Sequence, residues 1–290
     1  MIIVSDKPGQ LGNQLWAYTN MIAIATECNS TIIFILSREY FAMFDFKVVN
    51  ANKKIRIFKD GTFAAKLIRW ICFYIAPKSI NNSFINYVLK ILRVEFIEDF
   101  IEERKFKSCY RKQRLYFIKS WPQADNKFFF IKHHIFIQTL ILPEIATRTI
   151  VNKRMKRLKN QSNLVVGVHI RRGDYQFFAD GKYYFEDDVY SCYMRQLQKI
   201  LYPSKILFYL FSNEEIKSKN FEEFNIYCIN HQSPVADLWA MSKCDYLMGP
   251  LSTFSMWASF WNNVPLYFIQ DKNTVIGLVD FRPVKAHNIW

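Results

Sequence analysis

The stretch Leu164-Val165-Val166-Gly167-Val168-His169-Ile170-Arg171-Arg172-Gly173-Asp174-Tyr175 decides how this chain is read. It opens as a continuous apolar run, the pattern of a strand buried on both faces of a parallel sheet, and turns within a few residues to two arginines, a glycine and an aspartate. In open parallel sheets the ligand sits where the chain leaves the apolar layer, at the carboxyl ends of the strands. Arg171 and Arg172 emerge at such an end. Neighbouring strand residues point to opposite faces, so one arginine is expected to face a ligand and the other to brace the loop. A planar guanidinium suits bidentate contact with phosphate or carboxylate, and Gly173 permits a tight turn. For the tetrapeptide Arg-Arg-Gly-Asp alone, an arginine pair salt-bridged to nearby acids competes on equal terms.

Downstream of this stretch a βα rhythm is clear. A helix is predicted from Asp187 to Leu201, strands over Lys205 to Phe211 and Asn225 to Ile229, and a helix over Ala236 to Cys244. A strand over Tyr246 to Met248, a helix over Ser252 to Asn262 capped by Ser252 or Thr253, and a strand over Val264 to Ile269 complete the set. The helix starting near Ser252 is a second anion site, because its free N–H groups and dipole favour a phosphate, with hydroxyls of Ser252, Thr253 and Ser255 at hand. Simple capping accounts for the same hydroxyls. The acidic run Glu186-Asp187-Asp188 complements a helix dipole.

Upstream, the basic, polar stretch Asn152 to Asn163 reads as a linker, which divides the chain into domains 1–160 and 161–290. At the start, residues 2 to 4 form a strand, Ser5 to Asn13 a loop with Gly9 and Gly12, and Gln14 to Glu27 a helix. The glycines do not make Gly-x-Gly-x-x-Gly, so no dinucleotide fingerprint is read. The loop still presents backbone N–H groups and the Asn13 side chain at a helix start. Thr31 to Leu36 is the next strand. From about 45 to 160 the chain is basic and less legible, with clusters at Arg104 to Arg114 and Lys153 to Lys159. Phe63 to Ala76 intersperses Lys66 and Arg69 among aromatic and aliphatic residues, either a core helix with a solvated edge or a basic amphipathic helix on a membrane surface. His133 and His134 lack partners at metal-ligand spacing.

Composition limits the classes. With 27 Phe and 16 Tyr among 290 residues, the chain has ample core and is not a disordered protein. Six scattered cysteines without a Cys-x-x-Cys pair argue against a zinc site or disulfide framework and favour a reducing cytosol. No secretory signal is read at Met1, and Leu67 to Ala76 is too short to span a bilayer. The formal net charge of +14 demands an anionic partner: nucleic acid, an anionic membrane or a nucleotide sugar.

Three segments resemble one family. His169-Ile170-Arg171-Arg172-Gly173-Asp174 resembles the His-x-Arg-Arg-x-Asp signature of the α1,2-, α1,6- and protein O-fucosyltransferases. Gly9-Gln10-Leu11-Gly12-Asn13-Gln14-Leu15-Trp16-Ala17-Tyr18 is similar to the Gly-Gly-Leu-Gly-Asn-Gln-(Met/Leu)-Phe-Gln-Tyr opening of bacterial α1,2-fucosyltransferases, glycosyltransferase family 11. Asp237 to Tyr246, continuing to Leu251-Ser252-Thr253-Phe254-Ser255-Met256-Trp257-Ala258, is similar to that family's Asp-x-x-x-Met-Ser-x-Cys and Asn-Ser-Thr-Phe-Ser-Trp-Trp block. Ser120-Trp121-Pro122-Gln123 resembles, with departures, the family's Gly-Tyr-(Trp/Phe)-Gln acceptor element. Ser212-Asn213-Glu214-Glu215 stands where the family has Phe-Ser-Asp-Asp, so Asn213 keeps a hydrogen-bonding role and loses the charge.

The resemblance implies an α/β fold of the GT-B kind, two Rossmann-like domains facing a central cleft, the C-terminal one holding the nucleotide. It implies inverting transfer of fucose from GDP-fucose to a galactose 2-hydroxyl of a surface glycan such as O-antigen. Negative charge building on the leaving pyrophosphate calls for preorganised positive charge. The sequence contains no Asp-x-Asp, so Arg171, Arg172 and the Ser252 to Ser255 turn are expected to do a metal's work, with no cofactor. The expected donor contacts are Arg171, Arg172, Asn213, Asp237, Ser252, Thr253 and Ser255, with Asp237 also readable as a helix N-cap. Gly9, Gly12, Asn13 and Gln14 form the acceptor-side loop. Asp174 and His169 compete as the base that takes the acceptor proton, against the readings that Asp174 orients an arginine and that a satisfied, buried His169 braces the loop. A cytoplasmic enzyme, peripheral on the inner face of a bacterial plasma membrane and acting on a lipid-linked oligosaccharide, uses the surplus charge. The rivals are a fucosyltransferase of the same signature with another linkage and a basic nucleic-acid-binding protein. The latter ranks low because no nucleic-acid-binding motif is found.

Overall fold

The computed structural model describes residues 1–4, 9–45, 54–75, 82–97, 114–118 and 127–286. They fall into two compact units, one running from Met1 to Glu144 and including Ala286, the other from Ile145 to Lys285. Strands are numbered in chain order.

The first unit is built on a five-stranded sheet of β1 (Ile2–Val4), β2 (Ile32–Leu36), β4 (Ile55–Lys59), β5 (Val94–Ile97) and β6 (Leu115–Ile118), in the order β4-β2-β1-β6-β5. Every pairing in it is parallel. A small antiparallel ladder joins β3 (Phe44–Asp45) to β7 (Leu142–Pro143). Parallel strands must be connected by crossovers that cover the faces, and the sequence supplies them. The Leu11–Glu27 helix is buried along nearly its whole length, with Tyr18 stacked on Phe34 at 4.6 Å and its hydroxyl donating to the Ile35 carbonyl at 2.6 Å. On the opposite face Ala65, Ile68 and Cys72 pack with Ile3, Ile35 and Phe117.

The second unit carries β8 (Leu164–Ile170), β9 (Ile206–Ser212), β10 (Ile226–Cys228), β11 (Tyr246–Pro250) and β12 (Leu266–Ile269), ordered β10-β9-β8-β11-β12 and parallel throughout. The chain winds outward from β8 to one edge, returns, and winds outward again from β11. The seam between β8 and β11 is therefore a topological switch point, where α/β sheets hold ligands. Val166, Val168 and Ile170 face Val189, Tyr190, Tyr193 and Met194 of the Asp187–Ile200 helix. The alternate residues of β8 face the other layer, made by the Ile145–Gln161, Pro234–Met241 and Thr253–Asn262 helices. Gly167 belongs to that face, where a Cβ would lie 2.6 Å from Leu247 Cδ2 and 3.0 Å from Cys244 Sγ.

Three expectations are corrected. The stretch read as a linker, 152–163, is mostly helix, part of Ile145–Gln161, so the units divide between residues 144 and 145 rather than 160 and 161. Its apolar positions Val151, Met155 and Leu158 are buried at i, i+4, i+7, a narrow stripe masked in sequence by the surrounding lysines and arginines. The first helix begins at Leu11, not Gln14: Gly9 takes φ +50, Gln10 is an extended N-cap, and Gly12, Asn13 and Gln14 lie within the first turn. The helix expected from Ala236 starts at Pro234, with the Ser233 hydroxyl accepting from the Ala236 N–H, so Asp237 is not its N-cap. Ser120 to Gln123 and most of the Arg104 to Arg114 cluster lie outside the described residues.

Candidate functional site

The site is built where β8 and β11 end side by side. Alternation carries past the last strand residue and sends the two arginines to opposite faces. Arg172 turns toward the Asp187–Ile200 helix. Its guanidinium donates to the Phe185 carbonyl and to Asp187 Oδ1, lies 3.6 Å from Glu186, and sits over the rings of Tyr184 and Tyr190 at 5.1 and 5.9 Å. Its backbone is clamped in both directions by Asn213: the Arg172 N–H donates to Oδ1 at 2.8 Å, and Nδ2 donates to the Arg172 carbonyl at 3.2 Å. Arg172 and Asn213 thus brace the loop that leads to Asp174. The second acid of the run 186–188 has two duties, since Asp187 also accepts from Asn220 Nδ2 at 2.6 Å.

Arg171 turns to the opposite face. Its Nη2 reaches both carboxylate oxygens of Asp174, at 2.7 and 3.0 Å, and its Cζ stands 5.3 Å from the centre of the Tyr175 ring. Asp174 itself is half exposed. The turn between them depends on Gly173, whose φ of +62 is a left-handed conformation that costs a side-chain-bearing residue roughly 1 kcal/mol or more. The Tyr175 hydroxyl donates to the Leu251 carbonyl at 2.7 Å and ties the β8 loop to the residue preceding Ser252. Burial pushes the Tyr175 hydroxyl above the usual phenol range, so it stays a donor.

His169 lies between these loops, 3% exposed, with its ring 5.5 Å from that of Phe254. Burial, reinforced by the Arg171 charge, holds its pKa down at about 3. The imidazole is neutral at physiological pH, too weak a base to accept a proton there. Its Nδ1 is buried without a hydrogen-bond partner among the described residues, so the expectation of a satisfied histidine is also corrected. Gly249 makes the close approach possible, because a Cβ there would lie 2.6 Å from the His169 carbonyl oxygen.

The Thr253–Asn262 helix starts as the sequence predicts, with the Ser252 hydroxyl accepting from the Phe254 N–H at 3.2 Å. Ser255 is fully buried and donates to the Ser252 carbonyl at 3.2 Å, which holds the first turn. Thr253 is half-buried at the first helical position. Arg171 and this helix N-terminus bring a fixed cation and first-turn N–H groups to the ends of β8 and β11, chemistry suited to an anion.

Asp237 stands apart, in a polar cluster between helices. It accepts from Gln232 Nε2 at 2.6 Å, while Arg154 donates to Gln232 and, at 3.1 Å, to the Tyr209 hydroxyl. Burial raises the Asp237 carboxyl to about 7, against the opposing pull of the Gln232 hydrogen bond and the Arg154 charge. In the first unit, Gln14 is buried, its Nε2 donating to the Gly9 carbonyl at 2.9 Å and to Ser37 Oγ at 3.2 Å, and a Cβ on Gly9 would lie 2.6 Å from Asn13 Nδ2. Gln14 braces the turn that Gly9 makes; Asn13 is half-buried beside it. His133 pairs with Glu27 at 3.0 Å and His134 with the Ile131 carbonyl at 2.6 Å. Among the described residues no three His, Cys, Asp or Glu side chains gather as a metal site. Sequence reasoning did not assign roles to Tyr175, Gly249 or Phe254, although Tyr175 and Phe254 lie inside the motifs themselves, and it gave Asp187 a helix-dipole role without its pairing to Arg172.

A family model described as Glycosyl transferase family 11 matches residues 36–273. No curated protein matches the chain. Among solved structures, FUT1 of Arabidopsis thaliana in complex with GDP is similar over 94% of this chain and 71% of its own, with 13% identity and a TM-score of 0.60. The NodZ α-1,6-fucosyltransferase of Bradyrhizobium, soaked with GDP-fucose, is similar over 92% and 94%, with 14% identity and a TM-score of 0.53. POFUT1 in complex with GDP is similar over 93% and 98%, with 13% identity and a TM-score of 0.51. At such identities the likeness is one of fold, and the fold is the mixed α/β, GT-B class expected from the sequence. With the family model covering most of its 290 residues, the chain belongs to glycosyl transferase family 11.

Proposed function

We propose that this chain is an inverting, metal-independent fucosyltransferase that moves fucose from GDP-fucose to the 2-hydroxyl of a galactose-type acceptor in a bacterial surface glycan such as O-antigen. The family supports glycosyl transfer, and the solved relatives that bind GDP or GDP-fucose support the donor. The observation that carries the reading is the convergence of Arg171 and the Thr253–Asn262 helix N-terminus at the adjoining ends of β8 and β11, tied together by the Tyr175–Leu251 hydrogen bond.

In the proposed reaction the acceptor hydroxyl oxygen attacks the anomeric carbon of fucose from the face opposite the pyrophosphate. The bond from that carbon to the phosphate oxygen breaks, GDP departs with the electron pair, and the hydroxyl proton passes to a base. Arg171 and the helix N-terminus, preorganised positive groups, stabilise the charge that grows on the pyrophosphate. The absence of Asp-x-Asp from the sequence supports a reaction that needs no metal. Asp174, a carboxylate held by Arg171, is the group we place as base; His169, neutral and buried, offers the donor a hydrogen bond at most. Ser252 and Thr253 are further donor contacts, Gly9, Gly12 and Asn13 are acceptor contacts, and the enzyme works at the cytoplasmic face of the membrane.

The test is GDP release from GDP-fucose in the presence of EDTA, with and without galactose-terminated oligosaccharides, for the wild type and Arg171→Ala. Acceptor-stimulated, EDTA-resistant release that falls about 100- to 1000-fold in the variant is the expected result, the size of losing one transition-state charge contact. Release stimulated only by a different sugar class assigns another linkage, as in the α-1,6 relative. No release with any acceptor, together with no GDP binding, overturns the reading.

A further inference from the structure

The first unit carries two helices with more apolar surface than its core uses. In the Phe63–Trp70 helix and its wider continuation Ile71–Ile75, Ala65, Ile68 and Cys72 face the sheet. A second apolar stripe, Phe63, Leu67, Trp70 and Tyr74, runs at i, i+4, i+7, i+11 on the outside, with Phe63 82% and Trp70 53% exposed. The Ser83–Ile91 helix repeats the pattern: Phe84, Tyr87 and Ile91, at i, i+3, i+7, are 74%, 62% and 61% exposed. A surface helix of a soluble protein presents polar residues outward, and an apolar stripe in that place marks an interaction surface.

The charge around these stripes selects the partner. Described residues between 54 and 97 contain seven lysines and arginines against two acids, Asp60 and Glu95. Both acids are already engaged, Asp60 by Arg69 at 2.6 Å and Glu95 by Arg114 at 3.0 Å. Lys66 and Lys90 are exposed among the aromatic residues. Tryptophan and tyrosine favour the headgroup level of a bilayer, lysine reaches from an apolar surface to anionic phosphates, and the two together make an in-plane membrane anchor. No helix among the described residues is long and apolar enough to cross a membrane.

We propose that the outward faces of Phe63–Ile75 and Ser83–Ile91 form a docking surface for an anionic lipid bilayer, with the aromatic stripes immersed at headgroup depth and the lysines on lipid phosphates. This surface is independent of the donor site and of the fucosyl-transfer reading.

The experiment is co-sedimentation with vesicles of equal parts phosphatidylglycerol and phosphatidylcholine, and with pure phosphatidylcholine, at low salt. The probes are the wild-type chain, Trp70→Ser/Tyr87→Ser and Lys66→Glu/Lys90→Glu. All four positions are exposed, and circular dichroism checks that the variants stay folded. The wild type is expected to bind the anionic vesicles, weakly the neutral ones, and to release as salt rises. Each aromatic loss is expected to cost about tenfold in affinity, half the full transfer value of a large apolar side chain. Charge reversal is expected to abolish the preference for anionic lipid. Quenching of wild-type tryptophan fluorescence by lipids brominated near the headgroup is a second readout that needs no variant. Absence of wild-type binding overturns the proposal, as does binding unchanged in both variants. A dimer in light scattering that Trp70→Ser/Tyr87→Ser dissociates, with no vesicle binding, assigns the face to self-association instead.

Discussion

Lowering the pH should unlock the second unit through His169. In the unfolded chain its imidazole titrates near 6.5, whereas in the folded unit burial and the Arg171 charge hold it at about 3. The folded state binds fewer protons between these values, so the contribution of His169 to stability is complete above pH 6.5 and is lost as pH falls toward 3. The linkage relation puts the loss at about 1 kcal/mol at pH 5.5 and about 3 kcal/mol at pH 4.5, relative to pH 7.5. Other carboxylates titrate in the same range, so the quantity to measure is a difference. Urea unfolding of the wild type and His169→Asn at pH 7.5, 6.5, 5.5 and 4.5 isolates the single group, because asparagine does not titrate. The wild type should lose ground to the variant by roughly 1 kcal/mol per pH unit below 6.5. Stability curves that run parallel from pH 7.5 to 4.5 would refute the claim that His169 is held neutral by its surroundings.

Asp237 should show the opposite sign. Its folded pKa is raised to about 7, so its favourable state is the protonated one, and stability falls as pH rises from about 4 toward 7. Asp237→Asn, which keeps an acceptor for Gln232, should gain on the wild type by roughly 1 kcal/mol per pH unit across that interval in the same urea series, and a constant difference would contradict it. Arg172→Ala should cost about 3 kcal/mol in thermal or urea unfolding, because it removes the cation that neutralises Asp187, leaving that carboxylate only its Asn220 partner and the Phe185 carbonyl without this donor; Arg172→Lys, without the planar fork, should recover only part. Gly249→Ala should cost about 1–3 kcal/mol and weaken GDP binding in calorimetry, since the added carbon meets the His169 carbonyl at 2.6 Å and pushes β8 and β11 apart at the site; unchanged binding would mean that the seam does not shape the anion site.

Much of this was written locally. The apolar run of β8 ended in Arg171 and Arg172, and the change from strand to polar loop placed a site there before any fold was known. The helix at Thr253 announced itself through Ser252, and the separate fates of the two arginines followed from strand alternation. The Ile145–Gln161 helix was hidden because only three buried positions in 17 residues make a short, narrow stripe against a lysine- and arginine-rich background. Asn213 and Ser255 look like ligand contacts in sequence, because a polar residue at a strand end or helix start is equally suited to bind a ligand or to hold the backbone. In the folded chain they hold the backbone, Asn213 at Arg172 and Ser255 at Ser252.

The sequence by itself determined the α/β class, the strand that carries the site and the residue types able to hold an anion, because these follow from the spacing of side chains along a single strand or helix. Only the tertiary structure decided that β11 lies against β8, that Tyr175 reaches Leu251 across 76 residues of chain, and that His169 is walled in and neutral. It also decided that two helices keep an apolar face in water. The physical reason is the same in each case. Local periodicity fixes which side chains share a face, whereas the partner of that face, its burial and hence its charge state depend on segments far apart in sequence that meet only when the sheet is assembled.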